Sequence, residues 1–549
     1  ENTIESFIKG VGSITSENGD LMLTATDSAA IVAYAIGGSI AVGASGTSTG
    51  GALSIGVSIA HNTISNKALA YIDNSALVGA DNTIVLNAED VSLIATSMDT
   101  IDALSIAASI AVGASAKTGV ALSGGGSEST NIILTKTNAY ILDTDLETTG
   151  DVVLEARNAS DITAKVITGS LSVGAGGTTG VAASVGASLA RNLIGWDADG
   201  IQKPAEVQAY VKNSSIHTQG DLILSALANE TIDAVVVSGS VAISGAGTTG
   251  VGLSGSGADG KNKITTWVKA FIEGDGGDGA GGLVADSISL TALDSSTITA
   301  DVAGGSLAGA FAGTTGVSLS IGVALAYNEI RNDIAAYIKN ADTLVESLTG
   351  GISLSARETA TITALSIAAS ASIAIAGTTG IALSGAGAET TNVILTWTNA
   401  YVENSTIISA GDVALYAGNT STITAKIITG TLAAGIGGTT GVGASIGASL
   451  ARNLIGWDKD GNPVAAQVQA YVKNSGIEAE GDLIQTAVAD ETIDAIVVAG
   501  SAAISGGGTA GVGLSGSGAD AENRISTQVK AFIDGGGAAG ITADNITLT

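Results

Sequence analysis

The chain is poor in the residues that proteins use to fill a core, to cross-link covalently or to do chemistry. Its 549 residues include no cysteine, 2 prolines, 2 histidines and only 3% aromatic residues. The absence of cysteine excludes disulfides, thiol catalysis and zinc–thiolate sites. The scarcity of large side chains excludes an ordinary globular core, because small residues give native packing density only where layers lie close together.

Positive charge is also scarce. The chain has 21 Lys and Arg residues against 51 Asp and Glu residues, which gives a net charge of −30. Because binding to nucleic acid needs clustered Lys and Arg to neutralise phosphates, we predict no nucleic-acid partner. The same balance disfavours docking on anionic lipid, whereas an acidic surface can collect divalent cations.

Glycine and repetition are what the chain has in abundance. Residues 176–200 and 437–461 lie 261 residues apart and are identical at 22 of 25 positions. Four shorter units of about 65 residues make up this super-repeat, and each ends at an Ala or Ser, an aromatic residue and an Ile or Val. The anchor aromatics are Phe7, Tyr71, Tyr140, Tyr210, Phe271, Tyr337, Tyr401, Tyr471 and Phe532. We interpret them as stacked rungs of a core.

This spacing predicts one continuous β-repeat array over residues 1–549, cut from a larger chain. Its super-repeats lie at about 131–391 and from 392 to 549 onward. Its units end near residues 71, 140, 210, 271, 337, 401, 471 and 532. Each unit presents the same surface to the next unit, as stacked repeats require.

A Gly/Thr turn precedes eight of the anchors, and an Asn follows the closing Gly of each turn by twelve residues. The Asn residues are Asn62, Asn131, Asn192, Asn262, Asn328, Asn392, Asn453 and Asn523. In a parallel solenoid, an inward Asn at one place in successive coils can hydrogen-bond to its neighbours and form a structural ladder. An exposed turn residue and a ligand-binding residue are the alternatives.

The segments between turns alternate large and small residues, which is typical of strands. Near the turn at Gly177, one face carries Leu171, Val173, Val185 and Leu189, and the other carries Gly, Ala and Ser. We expect GTTG-tipped hairpins whose arms bury the bulky face in a core and offer the small face to a close neighbour. The fold class predicted is all-β, a repetitive parallel β-solenoid; at three coils per unit it would be on the order of 120 Å long.

Two units carry an insertion after Asn192 and Asn453, reading IGWDADGIQKPAEV and IGWDKDGNPVAAQV. Loops are where binding is grafted onto repeats, so Trp196 and Trp457 are candidate contact residues. Asp197 and Asp199, and likewise Asp458 and Asp460, have the D-x-D-G spacing of many Ca²⁺ loops, although no third ligand follows. A solvated turn, a Ca²⁺ site, and contact with a glycan or a neighbouring fibre are the three interpretations.

No pattern indicates catalysis. His61 and His217 occupy unrelated positions, and the Gly-rich turns lack the Lys of a phosphate-binding loop. The carboxylates are scattered on turns, with no pair set apart for acid–base work. We therefore predict that the chain is not an enzyme.

Units such as GVSIAHNTISNKALAYIDNS, followed by GDVxLxA strands, resemble the repeats of large bacterial surface proteins of the filamentous-haemagglutinin and leukotoxin-type adhesin group. The resemblance covers essentially the whole chain and rests on the order and spacing of its repeated motifs. It implies export to the cell surface or beyond, a right-handed parallel β-solenoid, and a role as stalk, adhesin or fibre.

We predict a structural segment of a giant extracellular bacterial protein that self-associates into a fibre or a surface layer. One alternative is the stalk of a cell-surface adhesin that binds host or neighbouring cells, with a glycan or another cell-surface ligand as its partner. A second is a leukotoxin-like pore former, which the small residues of the arms disfavour because a lipid-facing barrel needs large apolar side chains.

Overall fold

A computed structural model describes residues 2–12, 14, 19–74, 83–85, 89–276 and 281–549, with the backbone alone at 83–85 and 537–539. The described chain is all-β, and its strands form three sheets in which neighbouring strands pair in parallel. This arrangement confirms the predicted parallel β-solenoid. The three sheets are called A, B and C below.

Sheet B holds the shorter strands. They are Leu21–Asp27, Val91–Ser97, Val152–Asn158, Leu222–Ala228, Ile288–Asp294, Ile352–Glu358, Val413–Asn419, Leu483–Ala489 and Ile546–Leu548. Sheet C holds strands of 16 residues each. They are Ala30–Ser45, Thr100–Ser115, Asp161–Gly176, Thr231–Ala246, Thr297–Ala312, Thr361–Ala376, Thr422–Gly437 and Thr492–Gly507.

Sheet A holds the remaining strands, which run from the Gly/Thr turns past the aromatic anchors. They are Asn2–Lys9, Thr49–Asp73, Thr83–Val85, Thr118–Leu142, Asp145–Glu147, Thr179–Ile194, Ala205–Lys212, Ser215–His217, Thr249–Ile264, Thr266–Glu273, Leu283–Ala285, Thr315–Lys339, Val345–Ser347, Thr379–Glu403, Thr406–Ser409, Thr440–Ile455, Ala466–Ala479, Ala510–Ile525 and Thr527–Thr542.

Each unit of about 65 residues forms a single coil. Asn192 pairs with Asn131 on one side and Asn262 on the other, so equivalent residues of consecutive units are neighbours in the sheet. Eight coils, numbered here by their sheet C strands, follow the first strand of sheet A. The length of about 120 Å assumed three coils per unit and does not apply, because with one coil per unit eight steps of about 4.8 Å make the stack about 40 Å long.

Every coil has a head and an arm. In the head, sheet B faces the anchor end of sheet A across a core of fully buried residues such as Ile72, Leu93, Ile141 and Leu154. In the arm, sheet C faces the other end of sheet A. The expected hairpins are therefore two stacked sheets, because each arm strand bonds to neighbouring coils and not to the opposite strand of its own coil.

Small residues line the inside of the arm. Ala164, Ser172 and Ala182 are fully buried, whereas the bulky residues of the alternate positions point outward. The prediction that the bulky face is buried was wrong, because that face points outward. The small face does have a close neighbour, which is the other sheet of the same arm. Large inner side chains would hold the two sheets apart.

Hydroxyl groups join the two sheets across this interior. In each coil a Ser or Thr of sheet C and a Ser of sheet A, 14 residues apart (15 in the first coil), have hydroxyl oxygens that lie 2.5–2.7 Å from each other. The pairs are Ser39–Ser54, Ser109–Ser123, Ser170–Ser184, Ser240–Ser254, Ser306–Ser320, Ser370–Ser384, Thr431–Ser445 and Ser501–Ser515. Buried hydroxyls need partners, and this pairing supplies them without a large side chain.

Candidate interaction surfaces

The two outer faces of the arm are apolar and exposed. On sheet A, Val185 is 58% exposed and Ile446 is 67% exposed. On sheet C, Ile167, Leu307 and Ile436 are also exposed, and Leu171 and Val173 are half-buried by their neighbours in the same sheet. Exposed apolar patches of more than a few hundred Å² mark interaction sites, so these faces are the principal candidates.

A groove crosses the outer face of sheet C along the direction in which the coils stack. Its floor is a column of Gly and Ala, and its cavity volume is about 680 Å³. The floor residues are Ala108, Gly169, Gly239, Gly305 and Ala369. Ile110, Leu171, Val241 and Leu307 form one wall.

On the outer face of sheet A, three positions that lie two residues apart along the strand carry different residue types in odd and even coils. Equivalent positions of successive coils stack, and each such stack is called a column. Coils 1, 3, 5 and 7 carry Ile, Val, Leu or Ala at these three positions and are called the ridge coils. They carry Ile55, Val57 and Ile59; Val185, Ala187 and Leu189; Ile321, Val323 and Leu325; and Ile446, Ala448 and Leu450. Coils 2, 4, 6 and 8, the slot coils, carry Gly, Gly and an acidic residue. They carry Gly124, Gly126 and Glu128; Gly255, Gly257 and Asp259; Gly385, Gly387 and Glu389; and Gly516, Gly518 and Asp520.

The two inserted loops have the same internal geometry. Oδ1 of Asp197 accepts hydrogen bonds from the backbone N–H groups of Asp199 and Ile201, at 3.1 and 2.9 Å. Oδ1 of Asp458 accepts them from Asp460 and Asn462, at 3.0 and 2.8 Å. The Ile201 N–H is the chief cause that lowers the pKa of Asp197. The pKa of Asp458 is lowered chiefly by the side-chain amide of Asn462, which donates to Oδ2 at 2.9 Å, and then by the Asn462 backbone N–H. Calcium binding by the loops stays a prediction.

The Trp residues of the loops pack against their own chain. Trp196 is only 6% exposed, and Nζ of Lys263 lies 3.5 Å from the centre of its ring. The ring joins an apolar cluster with Ile132 and Leu193. Trp457 has the guanidinium of Arg524 over its ring at 4.9 Å. Each loop therefore folds onto the outer side of sheet A and covers part of the neighbouring coils.

The recurring Asn residues form a continuous ladder. Nδ2 of each donates to Oδ1 of the next, from Asn62 to Asn523, at 2.8 Å in every step. Those of the inner coils, such as Asn192, are fully buried. The ladder gives each buried amide a donor and an acceptor partner in adjacent coils.

Asn192→Ala breaks this ladder at its centre. The Nδ2 group of Asn131 and the Oδ1 atom of Asn262 each lose a buried partner, and such a loss costs about 1–3 kcal/mol per group. We expect a lower midpoint in guanidinium denaturation, by an amount equivalent to at least about 2 kcal/mol. Asn229→Ala, at an exposed position outside the ladder, is the control, and an equal effect of both substitutions would contradict the ladder's role.

The anchor aromatics form one stack of nine rings. Consecutive ring centres lie 4.8–5.1 Å apart, and their planes are within 8° of parallel. The residues on either side of Tyr71, Ala70 and Ile72, enter the head core. Since side chains alternate between the faces of a strand, the rings lie on the opposite, outer face of sheet A.

Sequence reasoning missed a double column of acidic and amide side chains where the head meets the arm. Each coil places one Asp, Glu or Asn there, at one of two inward positions that lie two residues apart. Asp27, Asn158, Asp294, Glu358 and Asn419 occupy the first position, and Asp99, Glu230 and Glu491 occupy the second. All of them except the half-buried Glu491 are buried. The signal in the sequence was an Asp, Glu or Asn shortly before each sheet C strand, most of which begin TI(T/D)A. We call this double column the polar waist.

Coils 4 to 6 bring three fully buried carboxyl groups together in the polar waist. Nδ2 of Asn332 donates to Oδ2 of Asp294 at 2.5 Å, and Oγ of Ser296 lies within hydrogen-bond distance of Oδ1 of Asp294 and of Oε2 of Glu230, at 3.0 and 3.2 Å. Burial, with repulsion from Asp294, raises the pKa of Glu230 and of Glu358 well above the usual carboxyl range. Burial also raises the pKa of Asp294.

The described residues contain no group of three or more His, Asp or Glu side chains placed to hold a metal ion. His61 lies in the arm of coil 1, 3.7 Å from Glu128, while His217 lies in a short head strand. Among the described residues there is also no helix long and apolar enough to cross a membrane. Comparison with protein family models, with curated proteins and with solved structures finds no match to this chain.

Proposed function

We propose that this chain is a structural segment of an extracellular bacterial surface protein and self-associates through the outer faces of its arms. One observation carries the proposal: both outer faces are apolar and exposed, while the small residues are buried inside. In a monomer this orientation would leave both apolar faces exposed to water. Two copies that pair these faces remove them from water.

The size of the faces supports stable association. Strands of 16 residues in eight coils make each face about 53 Å by 38 Å, or about 2,000 Å². A specific interface buries about 800 Å² on each partner. One arm face therefore exceeds the area that a stable contact needs, even when only part of it is covered.

The charge of the chain sets the conditions for assembly. A net charge of −30 repels other copies at long range, and salt screens that repulsion. The resemblance of the repeats to bacterial surface proteins supports a place at the cell surface, where a fibre or layer is needed. We infer that association strengthens as ionic strength rises.

Sedimentation velocity of the 549-residue chain, over a range of concentrations and salt, tests this proposal. We expect association that grows with both, and we expect Ile446→Glu, on an arm face, to weaken it at least tenfold. Gln208→Glu, on the outer face of the head, adds the same charge and should change it little. A chain that stays monomeric throughout would contradict the proposal and favour a solitary stalk.

A further inference from the structure

The two glycines that each slot coil places on the outer face of sheet A are required neither by packing nor by backbone conformation within the chain. A Cβ added at Gly126, Gly257 or Gly387 would meet no atom within 4 Å, and at Gly124 it would meet only Cγ1 of Ile55, at 3.9 Å. None of them has the positive φ that requires glycine. Gly in a strand interior is destabilising by about 0.5–1 kcal/mol relative to Ala, so eight such positions oppose folding.

Glycine at an open place in a strand marks a site where another molecule approaches closely. The glycines of a slot coil leave a depression, the slot, between the side chains of the ridge coils on either side. A cavity of about 450 Å³ extends over the slots of coils 6 and 8, at Gly387 and Gly518, and across Ala448 between them. The slots recur every second coil, about 9.6 Å apart. An occupant must therefore carry apolar side chains at the same spacing.

We propose that the occupant of the slots is a second copy of this chain, whose ridge coils enter them. The ridge coils of the same face recur with the same period as the slots. They carry apolar side chains, and they carry them in the two columns where the slot coils have glycine. The inference rests on the proposed self-association and names the surface that carries it.

A two-fold axis lying in the interface along the strand direction makes the fit reciprocal. Such an axis reverses the coil order, so that coil 3 of one copy meets coil 6 of the other and coil 4 meets coil 5. Every ridge coil then faces a slot coil in all eight pairs. Ala187 lies over Gly387, and Val323 lies over Gly257. A self-complementary patch of this kind is what a two-fold dimer requires.

Charged residues border the apolar columns on the head side. Nε of Arg452 lies 2.9 Å from Oε2 of Glu522. These charges are already paired within one chain at the edge of the surface. An apolar centre with a polar rim is the usual anatomy of a protein interface.

Filling the slots tests the inference. Gly257→Val with Gly387→Val places side chains where Val323 and Ala187 of the second copy would lie. Within one chain the space is open and valine favours strands, so the melting temperature should not fall. We expect the dissociation constant of the dimer, measured by sedimentation equilibrium, to rise at least tenfold.

The control fills equally open glycines on the other outer face of the arm. Gly169→Val with Gly305→Val meets no atom within 4 Å and should change the dissociation constant less than threefold. If the unaltered chain associates and the slot variant associates equally well, this inference is overturned while self-association stands. If the control weakens the dimer as much as the slot variant does, the surface is assigned to the wrong sheet. An unaltered chain that never associates overturns both proposals.

Discussion

Gly174→Val will disrupt the arm of the solenoid, whereas Gly169→Val in the same strand will leave its stability unchanged or slightly higher. A Cβ at Gly174 would lie 2.0 Å from the backbone oxygen of Val181, in the facing sheet. A Cβ at Gly169 would point outward and meet no atom within 4 Å. Comparing the two variants thus distinguishes the effect of close packing between the sheets from the effect of replacing Gly by Val in a strand.

The expected loss for Gly174→Val is large because the clash involves backbone. Overpacking of a core usually costs about 1–3 kcal/mol when side chains can adjust. Here the Val181 backbone is paired to coils on both sides, so relief requires several coils to move. We expect a cost of at least about 3 kcal/mol, measured as a lower guanidinium midpoint. Equal midpoints for the two variants would contradict the close approach of sheets C and A.

The solenoid will lose stability as the pH rises through the raised pKa values of the polar waist. The folded-state pKa values of Glu230, Asp294 and Glu358 lie above those of the unfolded chain. Their contribution is therefore fully present below the unfolded values and is lost as the pH rises through the folded ones. Ionisation then places like charges side by side in a dry interior.

Glu358→Gln removes one of these charges without changing the size of the side chain. An uncompensated buried charge costs about 3–5 kcal/mol, so the variant should gain up to that much over the unaltered chain at alkaline pH. Glu480→Gln, at an exposed carboxyl group, is the control. Thermal unfolding followed by circular dichroism between pH 5 and pH 9 checks this. If the curves for Glu358→Gln and the unaltered chain run parallel over this range, folding does not raise the pKa of Glu358 and the prediction is contradicted.

Much of the fold could be predicted from the sequence because the repeats constrain it at many positions at once. The twelve-residue offset from turn to Asn192, and its recurrence in every unit, predicted equivalent residues that stack in a solenoid. The structure places Asn192 between Asn131 and Asn262. The number of coils per unit could not be read in this way, because repeat length alone does not say how many turns a unit contains.

The orientation of the arm could not be predicted from the alternation either. Alternation shows that Val185 and Ser184 point to opposite faces, but it does not say which face is covered. Burial usually follows large apolar residues, and here the closeness of two Gly, Ala and Ser faces reverses that rule. Glu358 escaped notice for a related reason, because an acidic residue near a turn normally lies in solvent.

The most direct test of self-association through the arms is electron cryo-microscopy of the assembled chain. We expect copies joined face to face through the arms, with the ridge coils of one copy in the slot coils of the other and a repeat of about 9.6 Å along the stack. Particles that are single solenoids, with both outer faces of the arm open to solvent at high concentration and high salt, would contradict self-association.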